Sequence, residues 1–358
     1  MTIGRTPWWS WAWPALAWVI FILSALVGVH GAVSAASGVA LIATVFAAVY
    51  HAEVVAHRTG EPFGTLVLAL AVTVIETALI VSVMIAAPAE KAGLVRDTVF
   101  SVVMIVCNGI IGLCLLAGGA RHHEQGFQLQ GATAELAVLA ALTSLVLILP
   151  NFAAPELGSQ YGTSQLIFVA IVSLVLYGAF VFVQTVRHRD YFLPIKTDAE
   201  EHAAPPSNVT TAISAGLLIA SLVVIVALAK ILTPTVELGI GYLGVPKAVV
   251  GIVIAALVLL PEGLAALNAA QANRLQTSLN LALGSALATI GLTIPAVTMV
   301  SLAIGQPLEL GLGPKDEVLL ALTLLLGVIT LGTGRTTILQ GIVHLVVFAA
   351  FLLFAVVP

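Results

Sequence analysis

Charge is what this sequence has least of: only 8% of its 358 residues are Asp, Glu, Lys or Arg, where a soluble domain carries roughly 25%. That excludes an ordinary water-facing surface over most of the chain. The net charge is −4 and the 13 basic residues are scattered, so no stretch can neutralise several phosphates, and nucleic acid is excluded as a partner. Cysteine is equally scarce. Cys107 and Cys114 are seven residues apart in one apolar segment, roughly 10 Å along a helix, which is too far for a disulfide within it. Neither has the flanking Cys or His that zinc requires, so both read as small buried hydrophobes. There is no Gly-x-x-x-x-Gly-Lys loop and no His-Glu-x-x-His pair, so nucleotide-driven pumping would need another subunit. No cofactor is expected.

What is present is apolar sequence. Hydrophobic residues make up 60% of the chain and the mean hydropathy is +1.13, so the lipid bilayer is the expected solvent. About eleven runs are long enough to cross it. They are Ser10 to Val29, Ala32 to Val55, Pro62 to Ala87, Thr98 to Gly119, Ala132 to Ala154, Gln165 to Val186, Val209 to Leu232, Pro246 to Ala270, Ser278 to Ile304, Asp316 to Gly334 and Thr336 to Val357. All five tryptophans, Trp8, Trp9, Trp11, Trp13 and Trp18, gather at the start of the first run, as an interfacial belt would place them. That run is long enough to span by itself, which favours a retained first helix over a cleavable signal.

The one long polar segment, Arg187 to Asn208, divides the runs six and five. The expected organisation is an N-terminal helix (1–31), a five-helix repeat (32–187), a polar cytoplasmic linker (188–208) and a second five-helix repeat (209–358). An odd number of spans per repeat inverts the second copy, a recurring transporter plan. The fold class expected is therefore an all-α polytopic membrane protein with about eleven transmembrane helices. An N-terminus in the cytoplasm puts eight basic residues inside (Arg5, Arg58, Arg121, Arg187, Arg189, Lys196, Arg274, Arg335) and five outside (Lys91, Arg96, Lys230, Lys247, Lys315). The positive-inside tendency then favours a cytoplasmic N-terminus and an external C-terminus.

The second span of each repeat carries a glutamate near its middle, Glu76 and Glu262, whereas the other carboxylates fall in loops or within about a turn of a span's end. A charge at the midplane costs roughly 2.5 to 3.5 kcal/mol even on the gentler insertion scale. Each therefore needs a role that repays the cost. Desolvation and mutual repulsion oppose double ionisation of paired carboxylates, so protons and a hard cation compete for the same oxygens. Calcium wants six to eight oxygen ligands; two glutamates give at most four, and backbone carbonyls and hydroxyls must supply the rest.

Several neighbours qualify. Pro261 removes a backbone bond and frees a carbonyl about a turn earlier, which either faces the cation or marks an ordinary kink. Thr73 lies one turn before Glu76, Ser101 and Asn108 lie in the next span, and Ser285 and Thr289 lie in the span after Glu262. Each is a possible ligand, and each could equally satisfy its own helix backbone. His344, inside the last span, is open to two readings, proton relay and packing histidine. His51, Glu53, His57 and Arg58, followed by Glu61, form either a solvated helix end or a cytoplasmic vestibule. Glu200 and Glu201 in the linker read as a solvated loop.

The stretches His51-Ala52-Glu53, His57-Arg58-Thr59-Gly60-Glu61-Pro62-Phe63-Gly64, Pro261-Glu262-Gly263-Leu264, Gly284-Ser285-Ala286-Leu287-Ala288-Thr289-Ile290 and Thr333-Gly334-Arg335-Thr336, with the Glu76 helix, resemble the ChaA-type bacterial calcium/proton antiporters of the cation/calcium exchanger superfamily. The resemblance covers nearly the whole chain. It implies two inverted five-helix repeats behind an extra helix, and transport driven by the proton gradient, with Glu76 and Glu262 binding cation and proton alternately. The chain departs from the superfamily's Gly-Asn-x-x-Glu signature, reading Val72-Thr73-Val74-Ile75-Glu76, and the acidic tract between halves is reduced to Asp198, Glu200 and Glu201.

The expectation is a secondary transporter, not an enzyme, in a bacterial inner membrane, exporting Ca²⁺ in exchange for H⁺ by alternating access. Sodium or potassium exchange on the same scaffold is the nearest alternative. A passive cation channel and an intramembrane hydrolase are distant ones.

Overall fold

The computed structural model describes residues 6–28, 31–60, 63–86, 93–153, 156, 158–193, 206–243, 246 and 248–357. Backbone N–H and C=O groups find no water in lipid, so apolar runs of this length satisfy them internally as helices. The helices are α1 (Trp8–Val27), α2 (Gly31–Thr59), α3 (Phe63–Ala86), α4 (Leu94–His122), α5 (Leu129–Ile148), α6 (Thr163–Arg187), α7 (Asn208–Leu243), α8 (Ala248–Gln271), α9 (Leu275–Ile304), α10 (Pro314–Leu331) and α11 (Ile338–Val356). Among the described residues nine helices are long and apolar enough to cross a membrane. The protein is an all-α polytopic membrane protein. Lys196, Asp198, Glu200 and Glu201 of the expected linker lie outside the described residues, as do Arg5, Glu61, Lys91 and Lys247.

The chain forms two compact units that cut across its linear halves. One takes Met1–Ala87 and Thr197–Val245, the other Pro88–Lys196 and Pro246–Pro358. The first contains α1, α2, α3 and α7. Helix α2 packs against the other three, and polar ties hold the assembly: Trp18 Nε1 donates to the Ala220 carbonyl at 3.2 Å, and Arg58 donates to Asn208 Oδ1 at 2.5 Å. Trp8 is exposed, as a belt residue should be, whereas Trp18 is turned onto α7.

The second unit is built around α4, which α8 and α11 flank closely. A β-carbon at Gly341 of α11 would fall 2.9 Å from the Gly112 carbonyl oxygen of α4. Only glycine permits that approach, the small-residue packing typical of helices in lipid. At one end, strands β1 (Glu124–Gly126) and β2 (Arg335–Thr337) pair antiparallel with Gln125 opposite Thr336. At the other, Gln160 bridges Glu309. The α4–α5 and α10–α11 loops thus share one end of this unit, and the α5–α6 and α9–α10 loops share the other.

Four helices of this unit contain a widened π-type turn: Ile105–Ile110 in α4, Ser144–Ile148 in α5, Val183–Arg187 in α6 and Thr289–Thr293 in α9. Such turns loosen the regular backbone ladder and recur at functional sites. Asn108 lies inside the first, and Thr289 opens the last.

Candidate functional site

Glu76 sits mid-way along α3, fully buried, with Thr73 buried one turn before it. Both belong to the first unit. Glu262 sits in α8 of the second unit and is also buried. Pro261 lies inside that helix and donates no backbone bond, so the carbonyl of Leu257, one turn back, loses its usual donor.

Glu262 is placed by close packing. A β-carbon at the adjacent Gly263 would lie 3.2 Å from Cδ1 of Ile110, the last residue of the α4 π turn. The carboxylate therefore stands at the level of that turn. From α9, Ser285 Oγ donates to Glu262 Oε2 at 2.5 Å. A hydroxyl aimed at a carboxylate stabilises its ionised form without adding charge. Thr289, one turn further along α9, is buried.

Ser101, the residue expected from the sequence to correspond in the first repeat, is arranged differently. Ser101 and Ser285 each lie one turn before a π turn, at Ile105 and Thr289 respectively. Ser101 Oγ, however, donates to the Asp97 carbonyl of its own helix at 2.6 Å, so its proton satisfies the backbone.

Asn108 is fully buried and belongs to a continuous network. Its Nδ2 donates to Thr323 Oγ1 of α10 at 2.8 Å, and Thr323 in turn donates to the Leu319 carbonyl at 2.7 Å. With that N–H committed, Asn108 Oδ1 accepts from His344 Nδ1 of α11 at 3.2 Å, and His344 Nε2 lies 3.1 Å from Thr330 Oγ1. The pattern fits a neutral imidazole with its proton on Nδ1 and Thr330 donating to Nε2. Nothing in the sequence paired residues 108 and 344. The histidine thus fixes which way the asparagine amide faces.

The supposed vestibule separates. His51 is wholly buried, because α1 covers it, and its Nε2 lies 2.9 Å from the Ser10 carbonyl. Its ring meets Tyr50 edge-on, and Tyr50 meets Trp9. Glu53 and His57 are exposed on the same helix. His51 therefore packs, whereas Glu53 and His57 face outward. Both cysteines are free and buried.

Glu135 was not read from the sequence as buried. The expected span began at Ala132, leaving it within a turn of the end, but α5 begins at Leu129 and puts Glu135 in its second turn with no solvent exposure. Leu136 beside it packs against Gly327 of α10. The missed signal was Glu135 following the small residues Gly131 and Ala132, which let neighbouring chain close over it.

No group of three or more His, Cys, Asp or Glu among the described residues could hold a metal by itself. Oxygen ligands around either glutamate would have to include hydroxyl, amide and carbonyl groups, and Ser285, Asn108 and Leu257 offer these in the second unit.

Comparison with known proteins bears on the family and the fold. The family model described as sodium/calcium exchanger protein matches residues 16–186 and 213–357. The chain is 48% identical to y4hA of Sinorhizobium fredii, over 99% of this chain and 98% of that one. It is 36% identical to the sodium-potassium/proton antiporter ChaA of Escherichia coli, over 95% and 94%. The solved structure of the H⁺/Ca²⁺ exchanger CAX superimposes with a TM-score of 0.73 at 14% identity, covering 96% of this chain and 87% of that one. This last likeness concerns the fold.

Proposed function

From the premise that this chain belongs to the sodium/calcium exchanger family, whose members are transporters and not enzymes, we propose that it is a bacterial inner-membrane antiporter exporting cytoplasmic Ca²⁺ in exchange for protons. Glu76 and Glu262 bind cation and protons alternately. The observation that carries the reading is Glu262: a buried mid-helix carboxylate, one oxygen held by Ser285, set beside the π turn that contains Asn108. A group so placed is stable when protonated or when neutralised by a cation, and changing between those states is the chemistry of exchange.

The remaining parts fit this cycle. Asn108, oriented by His344, offers Oδ1; Thr289, Thr73 and Ser101 offer hydroxyl oxygens; and the carbonyl freed by Pro261 offers another. Thr330 can rotate from donor to acceptor, which would allow His344 to carry a proton in transit. Two inverted five-helix repeats would give access from each side in turn, with the N-terminus cytoplasmic and the C-terminus external. A proton returning down its gradient supplies about 1.4 kcal/mol per pH unit, and each net charge moved adds about 2.3 kcal/mol per 100 mV.

Sodium or potassium exchange is the second reading. It is favoured by Thr73 standing where the superfamily carries asparagine, and the Escherichia coli relative is named a sodium-potassium/proton antiporter. Proteoliposomes holding an internal pH dye separate the two. Addition of Ca²⁺ should move protons in the wild type and not in Glu76→Gln or Glu262→Gln. Proton movement evoked by Na⁺ or K⁺ but never by Ca²⁺ would overturn the calcium assignment, and flux indifferent to the pH gradient would indicate a channel.

A further inference from the structure

Glu135 is a third buried carboxylate, and the exchange described above makes no use of it. It has no solvent exposure, and neither carboxyl oxygen has a hydrogen-bond partner among the described residues. Nor does a basic side chain among the described residues pair with it. The other helices and turns packed against α5 supply little charge. Helix α9, including its π turn, has no titratable residue. Helix α6 has Tyr177, and Arg187 at its end. The turn Arg189–Tyr191 has Arg189, Asp190 and Tyr191, and α10 has Lys315, Asp316 and Glu317, all in its first turn. Glu135 is the only charged residue of α5.

An isolated carboxylate in such surroundings is too costly to persist, so the group is held as the neutral acid. Metal is a poor match, because a hard cation needs several oxygens and Glu135 belongs to no group of three or more His, Cys, Asp or Glu among the described residues. A proton needs one oxygen.

The structure also shows a ladder of amides where α5 and α9 pack together. Gln276 Oε1, in the first turn of α9, accepts from the Gln128 backbone N–H at 2.7 Å. Gln276 Nε2 donates to Asn280 Oδ1 at 2.7 Å, and Asn280 Nδ2 donates to the Phe192 carbonyl at 2.6 Å. A β-carbon at Gly131 would lie 3.3 Å from the Gln276 amide nitrogen. Glu135 follows Gly131 by four residues as Asn280 follows Gln276, so one helical turn, about 5.4 Å, raises both to the same level. The amide ladder thus climbs from the helix end to the height of the buried carboxyl.

We propose that Glu135 is a second, separate proton-binding site, taking and releasing a proton at the α5–α9 boundary. That it governs the pH dependence of transport rests on the exchange proposed above; that it binds a proton does not.

Dicyclohexylcarbodiimide, which adds to protonated carboxyls in apolar surroundings, tests the binding on the full-length protein, with adducts located by mass spectrometry. In the transport-deficient Glu76→Gln, Glu262→Gln double variant, Glu135 should still be labelled, and the labelling should fall as pH rises. This keeps its outcome apart from that of the exchange reading. In Glu135→Gln, the pH of half-maximal exchange should shift by about one unit, tenfold in proton affinity. Absence of an adduct on Glu135 at every pH, or pH-independent labelling, would overturn the proton site, and a Glu135→Gln profile superimposable on the wild type would overturn its role in the pH dependence of transport.

Discussion

Glu262 and Glu135 lie in the same compact unit, both buried, and differ in what surrounds the carboxyl. Glu262 receives the Ser285 hydroxyl and stands beside a π turn carrying an oriented amide. Glu135 accepts no hydrogen bond from the described residues. Under the proposed exchange, burial alone therefore does not define a cation site. Donors and neighbouring oxygens make an ionised carboxylate tolerable for part of a cycle, and their absence leaves only the neutral acid.

Breaking the richer side of this contrast should have the largest effect. Glu262→Gln removes a buried charge whose loss is worth about 3 kcal/mol or more, so cation-evoked proton flux should fall at least about a hundredfold. Ser285→Ala is next. A hydrogen bond to a charged group contributes about 1.5 to 3 kcal/mol, so apparent cation affinity in the same liposomes should weaken by about tenfold or more. Protons should also displace the cation more readily, because the lost donor favoured the ionised form.

His344→Ala leaves Asn108 Oδ1 without the N–H that orients it. Unpairing a buried polar group costs about 1 to 3 kcal/mol, which should appear as lower thermal stability together with a several-fold loss of cation affinity. His344→Gln, which can donate at a similar place, should restore part of both. Ser101→Ala should do least. Its hydroxyl serves only its own helix backbone, so cation affinity should stay within about twofold of wild type; a loss equal to that of Ser285→Ala would show that the two serines are equivalent after all.

Much of the architecture was legible because lipid enforces it. Uninterrupted apolar runs must become helices, and Glu76 and Glu262 stood out because a charge in the middle of such a run is expensive. Ser285 was legible as a candidate because it lies one span after Glu262. Other features were not. The α2 histidine at position 51 looked like part of a polar helix end until α1 covered it, and the π turns leave no mark in hydropathy. Asn108 and His344, 236 residues apart, meet only because Gly112 and Gly341 let α4 and α11 approach.

The sequence by itself determined that this protein lives in a membrane, spans it many times and buries carboxylates there, because transfer costs depend on residue type and run length alone. Tertiary structure decided which carboxylate has partners. Hydrogen bonds act over about 3 Å, and whether Ser285 reaches Glu262 while none of the described residues reaches Glu135 depends on how helices distant in the chain are packed.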